Sequence, residues 1–296
     1  MIQPGDERAR APSGPGFSDA VTFAWGDPGA QLYGLARVAL SGDEGSVLAV
    51  LFAERAAVAA LARGGIAVPA GADFAELALP GVATRVATPL RAWSVRFEGR
   101  EGAAFELGFE ALTAPVELDP AEPVARLGGM TGYEQLCRVH GSVRAGAGER
   151  AVHCLGQRSH AWGEPDWERL GATRTIAAWL DDGTGVTLAA VRAAGAKGHA
   201  EEARWGALLD PAGSLHVGEP RLSTTYDADG RQRRAGLELW LGEQDEYPRR
   251  AAGNVVCGST LELGALRLDA AVFRWHMDGR AGIGRYDILR RARSAR

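Results

Sequence analysis

The sequence is poor in lysine and cysteine and has no long apolar run. Of its 33 Lys and Arg residues only Lys197 is a lysine, so the positive charge sits on guanidinium groups that do not titrate near neutrality. Lys197 lies in "AGAKGHAEEA", a stretch that reads as a polar loop rather than as the desolvated setting a Schiff-base lysine needs. The three cysteines, Cys137, Cys154 and Cys257, form no CxxC pair. That spacing indicates neither a zinc ribbon nor a disulfide framework, and it fits a reducing, cytoplasmic setting. The N-terminal "MIQPGDERARAPSGPG" has no apolar h-region, and no stretch offers 18 uninterrupted apolar residues. The expectation is a chain with neither a standard secretory signal nor a membrane span.

Excess positive charge is lacking too. The net charge is −4, so no global field attracts phosphate backbones and a nucleic-acid partner is not expected. The basic runs "RQRR" (231–234) and "RRARSAR" (290–296) read as solvated. GxxxxGK[ST], GxSxG, HExxH and a helix-opening GxGxxG are all absent, and "GIGRYD" (282–287) sits in strand context. Nucleoside triphosphate, dinucleotide and zinc-hydrolase readings therefore lose their usual support. His140, His153, His160 and Asp166 are too loosely spaced to suggest a metal site. The expectation is a protein that needs no cofactor and no metal.

What is present is a succession of short alternating segments broken by Asp/Gly turns. Candidate strands are "QLYGLARVAL" (31–40), "SVLAVLFAE" (46–54), "LRAWSVRFEG" (90–99) and "AAFELGFEAL" (103–112). In the last, Phe105, Leu107 and Phe109 share one phase while Glu106 and Glu110 share the other, as in a half-buried strand. Turns such as "SGDEGS" (41–46), "DDGTG" (181–185) and "MDGRAG" (277–282) supply the left-handed conformations of tight antiparallel connections. "AERAAVAALARGG" (53–65) fits a helix or a strand. "RTIAAWLDDGTGVTLAAVRA" (174–193) is a hairpin. Strands recurring without regular helices read as a meander barrel or sandwich.

At 296 residues the chain allows one large or two medium domains. Residues 114–132 carry Pro115, Pro120, Pro123 and the Gly128–Gly129 pair, composition that suits a boundary. The division read from this is a first domain over 17–115, a linker over 116–131 and a second domain over 132–296. Each half holds a hairpin with an Arg/Trp-bearing strand, which suggests a diverged duplication.

The densest chemistry is "GQRSHAWGEPDW" (156–167). If residues 158–162 are extended, Arg158, His160 and Trp162 share one face, with Gln157, Ser159 and Ala161 on the other. Gly163 and Pro165 then break the strand and put Asp166 and Trp167 on the returning loop. Asp166 close to His160 would orient its imidazole as a general acid or base. The competing reading is a structural clasp, in which Arg stacks on Trp while Asp and His satisfy buried polar atoms.

The stretch "GYEQLCRVHGSVRAGAGERAVHCLGQRSHAWGEPDW", followed by "WLDDGTG", resembles the two-domain lipocalin-like proteins grouped around carotenoid 1,2-hydratases and the AttH-like family. These often carry G-x-R-D-H-S-W-G-x-R-D-W. "PLRAWSVRFEGREGAAFELGFEALTAP" (89–115) is similar to their first domain, and "FRWHMDGRAGIGRYDILRR" (273–291) to their closing strands. The matching positions are Gly156, Arg158, His160, Trp162, Gly163, Asp166 and Trp167; Ser159 and Pro165 depart from the pattern. The resemblance implies an all-β chain of two tandem lipocalin-like antiparallel barrels or sandwiches that binds a lipophilic small molecule, a terpenoid or a polyketide. It further implies hydration or cyclisation by acid–base chemistry, or passive carriage. On that reading His160 transfers a proton, Asp166 orients it and Glu134 is a reserve acid. Arg158, Trp162, Trp167, Trp93, Trp179 and Trp275 are the candidate substrate-binding residues.

Overall fold

The computed structural model describes residues 1–146, 148–242 and 244–292; the last four residues of the basic "RRARSAR" run lie outside them. The chain is all-β and divides into two compact units, one of residues 1–117 and 130–164, the other of 118–129 and 165–296.

The first unit contains β1 (Ser18–Asp27), β2 (Leu32–Ser41), β3 (Glu44–Ala53), β4 (Ala56–Ala67), β5 (Glu76–Leu79), β6 (Val82–Thr88), β7 (Ala92–Glu98), β8 (Ala104–Ala111), β9 (Val116–Leu118), β10 (Met130–Ala145) and β11 (Gly148–Gly163). They form one sheet in the order β4-β3-β2-β1-β11-β10-β8-β7-β6-β5, with β9 also on β10. The second unit contains α1 (Pro123–Gly128), β12 (Leu170–Leu180), β13 (Gly185–Ala193), β14 (Ala203–Leu209), β15 (Leu215–His216), β16 (Glu219–Tyr226), β17 (Gln232–Trp240), β18 (Arg249–Leu263), β19 (Leu266–Met277) and β20 (Arg280–Arg291). Its sheet runs β15-β14-β13-β12-β20-β19-β18-β17-β16. In both units the first long strand pairs with the last, so the two sheets share one ladder order.

Alternation explains the strands. In β8, Phe105, Leu107 and Phe109 are buried while Glu106 and Glu110 are exposed; in β7, Trp93, Val95 and Phe97 alternate with Ser94, Arg96 and Glu98 in the same way. The inward residues of every major strand of the first unit join a single apolar cluster, so the sheet is rolled around its own core. β1 to β3 are buried on both faces, which is why "SVLAVLFAE" is nearly continuous in apolar residues. The alanine-rich segment resolves as the edge strand β4 paired with β3, because pairing supplies the backbone hydrogen bonds that propensity alone left open. The β19–β20 turn has Asp278 at φ 49° and Gly279 at φ 78°, both in the left-handed region that two-residue hairpins use.

The division of the chain differs from the one read from sequence. Residues 132–164 do not start the second domain: β10 pairs with β8 and β11 pairs with β1, so both complete the first sheet. Nor is 116–131 a bare linker, since it holds β9 and α1. Pro123 opens that helix and Gly129, in the left-handed conformation, closes it. Among the described residues no helix is long and apolar enough to cross a membrane. Burial pushes the thiols of Cys137 and Cys154 up to about 12, which makes both poor nucleophiles at neutral pH.

Candidate functional site

On β11 the inward-facing residues change character along the strand. Val152 and Cys154 lie against the apolar core, whereas Arg158 and His160 are buried polar residues. On β1 the inward series Trp25, Phe23, Val21 likewise ends at Asp19. The register sets Val21 opposite His160 and Phe23 opposite Arg158, while on the other side of β11 Tyr133 faces His160 and Gln135 faces Arg158. One end of the rolled sheet is therefore polar, although its side chains are almost completely buried.

His160 Nε2 is 2.7 Å from Asp19 Oδ1, and the pair is sealed, at 0% and 1% side-chain exposure. Burial lowers the basicity of His160, and the Asp19 carboxylate opposes that shift. A neutral imidazole that donates its Nε2 proton to Asp19 leaves Nδ1 as an acceptor. Nδ1 lies 3.4 Å from Tyr133 Oη. Three aromatic rings meet the imidazole edge to face: Phe74 at 5.2 Å, Trp162 at 5.3 Å and Tyr133 at 5.5 Å. Burial also raises the Tyr133 phenol well above its ordinary value, with the Arg158 charge acting in the opposite direction.

The N-terminal segment completes the cluster. A 3₁₀ turn over Pro4–Glu7 carries Glu7 into the polar end, where Oε2 accepts from Arg158 Nη2 at 2.7 Å and from Trp93 Nε1 at 3.1 Å. Oε1 accepts from the Leu90 backbone at 3.1 Å and from Tyr133 Oη at 3.3 Å. The Arg158 guanidinium lies over the rings of Trp93 and Tyr133, 4.7 and 5.0 Å from their centroids. Three residues on, the Arg10 backbone donates to Asp19 Oδ2 at 2.8 Å, and the Arg10 guanidinium stacks 3.5 Å over Trp162. Gly132 allows β10 to come this close, because a side chain there would run into the His160 carbonyl oxygen.

Of the residues singled out by sequence, Arg158, His160, Trp162 and Trp93 come together here. Asp166 does not orient His160. It is exposed, and its Oδ1 accepts the Glu168 backbone N–H at 2.9 Å within the turn after β11; Asp19 holds the imidazole instead. Glu134 is on the opposite face of β10 from Tyr133, hydrogen-bonded to Gln157. Trp167, Trp179 and Trp275 belong to the second unit. Trp275 is part of that unit's core, stacked on Phe273 at 5.7 Å. Asp19, Glu7, Tyr133, Arg10 and Phe74 were missed. Asp19 left a signal, a carboxylate in the inward phase of an apolar alternation; Glu7 left none, since it precedes the first strand.

A family model described as "Domain of unknown function (DUF7064)" matches residues 3–292. No curated protein matches the chain in sequence. Among solved structures, a protein from Nitrosomonas europaea designated AttH is similar at TM-score 0.66 and 14% identity, over 92% of this chain and 91% of that one. CghA is similar at TM-score 0.64 and 10% identity, over 95% of this chain and 90% of that one. CghA with Sch210972 is similar at TM-score 0.66 and 10% identity, over 94% of this chain and 89% of that one. At these identities what is shared is the fold, the lipocalin-like architecture that the sequence resemblance implied.

Proposed function

The chain belongs to the DUF7064 family, and from that premise we propose that it binds a lipophilic small molecule and acts on it by cofactor-free acid–base chemistry at the polar end of the first unit. The observation that carries this is the sealed His160–Asp19 pair, at 2.7 Å, among the rings of Phe74, Tyr133 and Trp162. A neutral imidazole oriented by a carboxylate is a general base, and apolar aromatic walls suit a terpenoid or polyketide chain. Of the two reactions implied by the sequence resemblance, cyclisation fits better than alkene hydration. Hydration starts by protonating carbon, a task for a strong acid, whereas Tyr133 holds its proton more tightly than an ordinary phenol. Such a phenol donates a hydrogen bond to a substrate carbonyl, and His160 Nδ1 takes up a proton released as a ring closes.

The site is covered by Glu7 and Arg10, so substrate entry requires the segment before β1 to move aside. The test begins with mass spectrometry of an organic extract of the purified protein, run beside an extract of an unrelated protein prepared in parallel. A specific terpenoid or polyketide is then returned to wild type and to His160→Gln. Conversion by wild type, slowed roughly 10²-fold or more in the variant, is the expected result. A ligand recovered unchanged from wild type favours the carrier reading, and conversion that is unaffected in a folded His160→Gln removes His160 from the chemistry.

A further inference from the structure

The second unit has a polar end of its own, built from different residues. On β12 the inward series Leu180, Ala178, Ile176 ends at Arg174, which is 1% exposed. Arg174 Nη2 is hydrogen-bonded to Glu202 Oε2. Its Nη1 donates to Thr224 Oγ1 at 3.0 Å and to Tyr286 Oη at 3.1 Å. Its Nε, also buried, has no partner. Glu202 Oε1 is 2.6 Å from His199 Nδ1, and His199 Nε2 is 3.0 Å from Tyr226 Oη, with the imidazole and phenol rings stacked at 5.8 Å. Carboxylate, imidazole and hydroxyl thus stand in one line. The carboxylate end is buried, while the His199 side chain is 38% exposed and Tyr226 37% exposed.

This connectivity is that of an activated nucleophile: a carboxylate fixes the tautomer of an imidazole whose other nitrogen accepts the proton of a hydroxyl. We infer that Glu202, His199 and Tyr226 form a second reactive centre, in which Tyr226 attacks acyl donors of the carboxylic ester class. The inference is independent of the function proposed for the first unit. Tyr226 Oη forms a bond to the ester carbonyl carbon and its proton passes to His199 Nε2. The bond to the leaving alcohol breaks, His199 returns the proton to that alcohol, and the acyl group stays on Tyr226. No oxidant, reductant or metal enters the balance. Glu202 and Arg174 are positioning residues, with Arg174 fixing the oxygen of Glu202 that His199 does not use. Two members of the line come from the "AGAKGHAEEA" stretch, where His199 opens a single 3₁₀ turn (His199–Glu201) and Glu202 caps its end, and the third, Tyr226, ends β16.

The experiment treats the 296-residue chain with p-nitrophenyl acetate, follows p-nitrophenol release and maps the acetyl group by peptide mass spectrometry. Tyr247, at 75% exposure, is the internal standard for an unactivated phenol. Expected is a burst of about one equivalent, with Tyr226 acetylated roughly tenfold or more faster than Tyr247, a modest share of what a positioned base contributes. The burst should disappear in Tyr226→Phe, and acetylation of Tyr226 should slow to the Tyr247 rate in His199→Gln. Circular dichroism melting checks that both variants are folded. The inference is overturned if Tyr226 reacts no faster than Tyr247, or if His199→Gln leaves Tyr226 as reactive as before. A burst that persists in Tyr226→Phe also overturns it, because a group other than Tyr226, such as His199 or Lys197, is then the nucleophile.

Discussion

Replacing Glu7 by alanine isolates the question of what the N-terminal segment does. The Glu7 carboxylate receives four donors, and its partner Arg158 is 1% exposed. Removing one member of a buried ion pair strands the other charge, at a cost of about 3–5 kcal/mol. The first unit has about 150 residues, and for domains of that size each kcal/mol moves the midpoint by about 2–4 °C. Glu7→Ala should therefore lower the melting midpoint of the first unit by roughly 6–20 °C. Differential scanning calorimetry, with tryptophan fluorescence in urea as a second probe, reads the change. Most of this loss comes from stranding the guanidinium rather than from the lost attraction, so adding Arg158→Met should restore at least half of it. Two results refute the reasoning. A Glu7→Ala midpoint within a few degrees of wild type would mean that the segment is not docked in solution. A double variant no more stable than the single would mean that the loss is one of segment packing and not of unpaired charge.

The remaining predictions address the same end of the first sheet. Trp162→Ala removes the face on which Arg10 stacks; as Trp162 is only half-buried, the cost should be about half of the ~3–5 kcal/mol of a core tryptophan, and trypsin should cut faster after Arg8 and Arg10. Burial lowers the His160 pKa in the fold, so below pH ~6.5 the unfolded chain binds a proton that the folded chain refuses. Stability is then complete above ~6.5 and falls as the pH drops, by up to ~1.4 kcal/mol per pH unit for this one group. His160→Gln should flatten that part of the urea-stability profile between pH 6.5 and 5, and an unchanged difference between the two proteins across that window contradicts the sign. Gly132→Ala should cost about 1–3 kcal/mol through its collision with the His160 carbonyl. Gly148→Ala, where an added Cβ meets nothing within 4 Å, should cost far less in the same denaturation assay.

Local pattern carried the strands and failed at the pairings. Phe105, Leu107 and Phe109 announce β8 because the period of a half-buried strand is written in neighbouring residues. The identity of the carboxylate beside His160 is not local. Asp166, six residues away, was the natural choice along the chain, yet Asp19, 141 residues away, arrives by pairing of the first strand with the last. The same long-range closure moved β10 and β11 into the first unit, although the prolines of 114–132 marked a real change in the chain. That Arg158, His160 and Trp162 share a face was legible from alternation alone; that Trp93 lies beneath Arg158 was not, since β7 is separated from β11 by β8 and β10.

Both sheets repeat one device, an inward apolar series that ends in a buried arginine paired to a glutamate brought in from outside the long strands. If stability were the only purpose, well-packed apolar residues would serve as well or better, because a buried ion pair seldom repays its desolvation. The two ends also differ where function would require them to differ. Arg158 and Glu7 adjoin the His160–Asp19 pair, which no solvent reaches. Arg174 and Glu202 lead instead to His199 and Tyr226, which solvent does reach. On the proposed function, reaction at the first end waits on the segment that carries Glu7 and Arg10, and should speed up when Glu7 is removed in any variant that stays folded. Tyr226 has no such cover. Its reactivity should be the same in wild type and Glu7→Ala, a contrast that separates a gated site from an open one within a single chain.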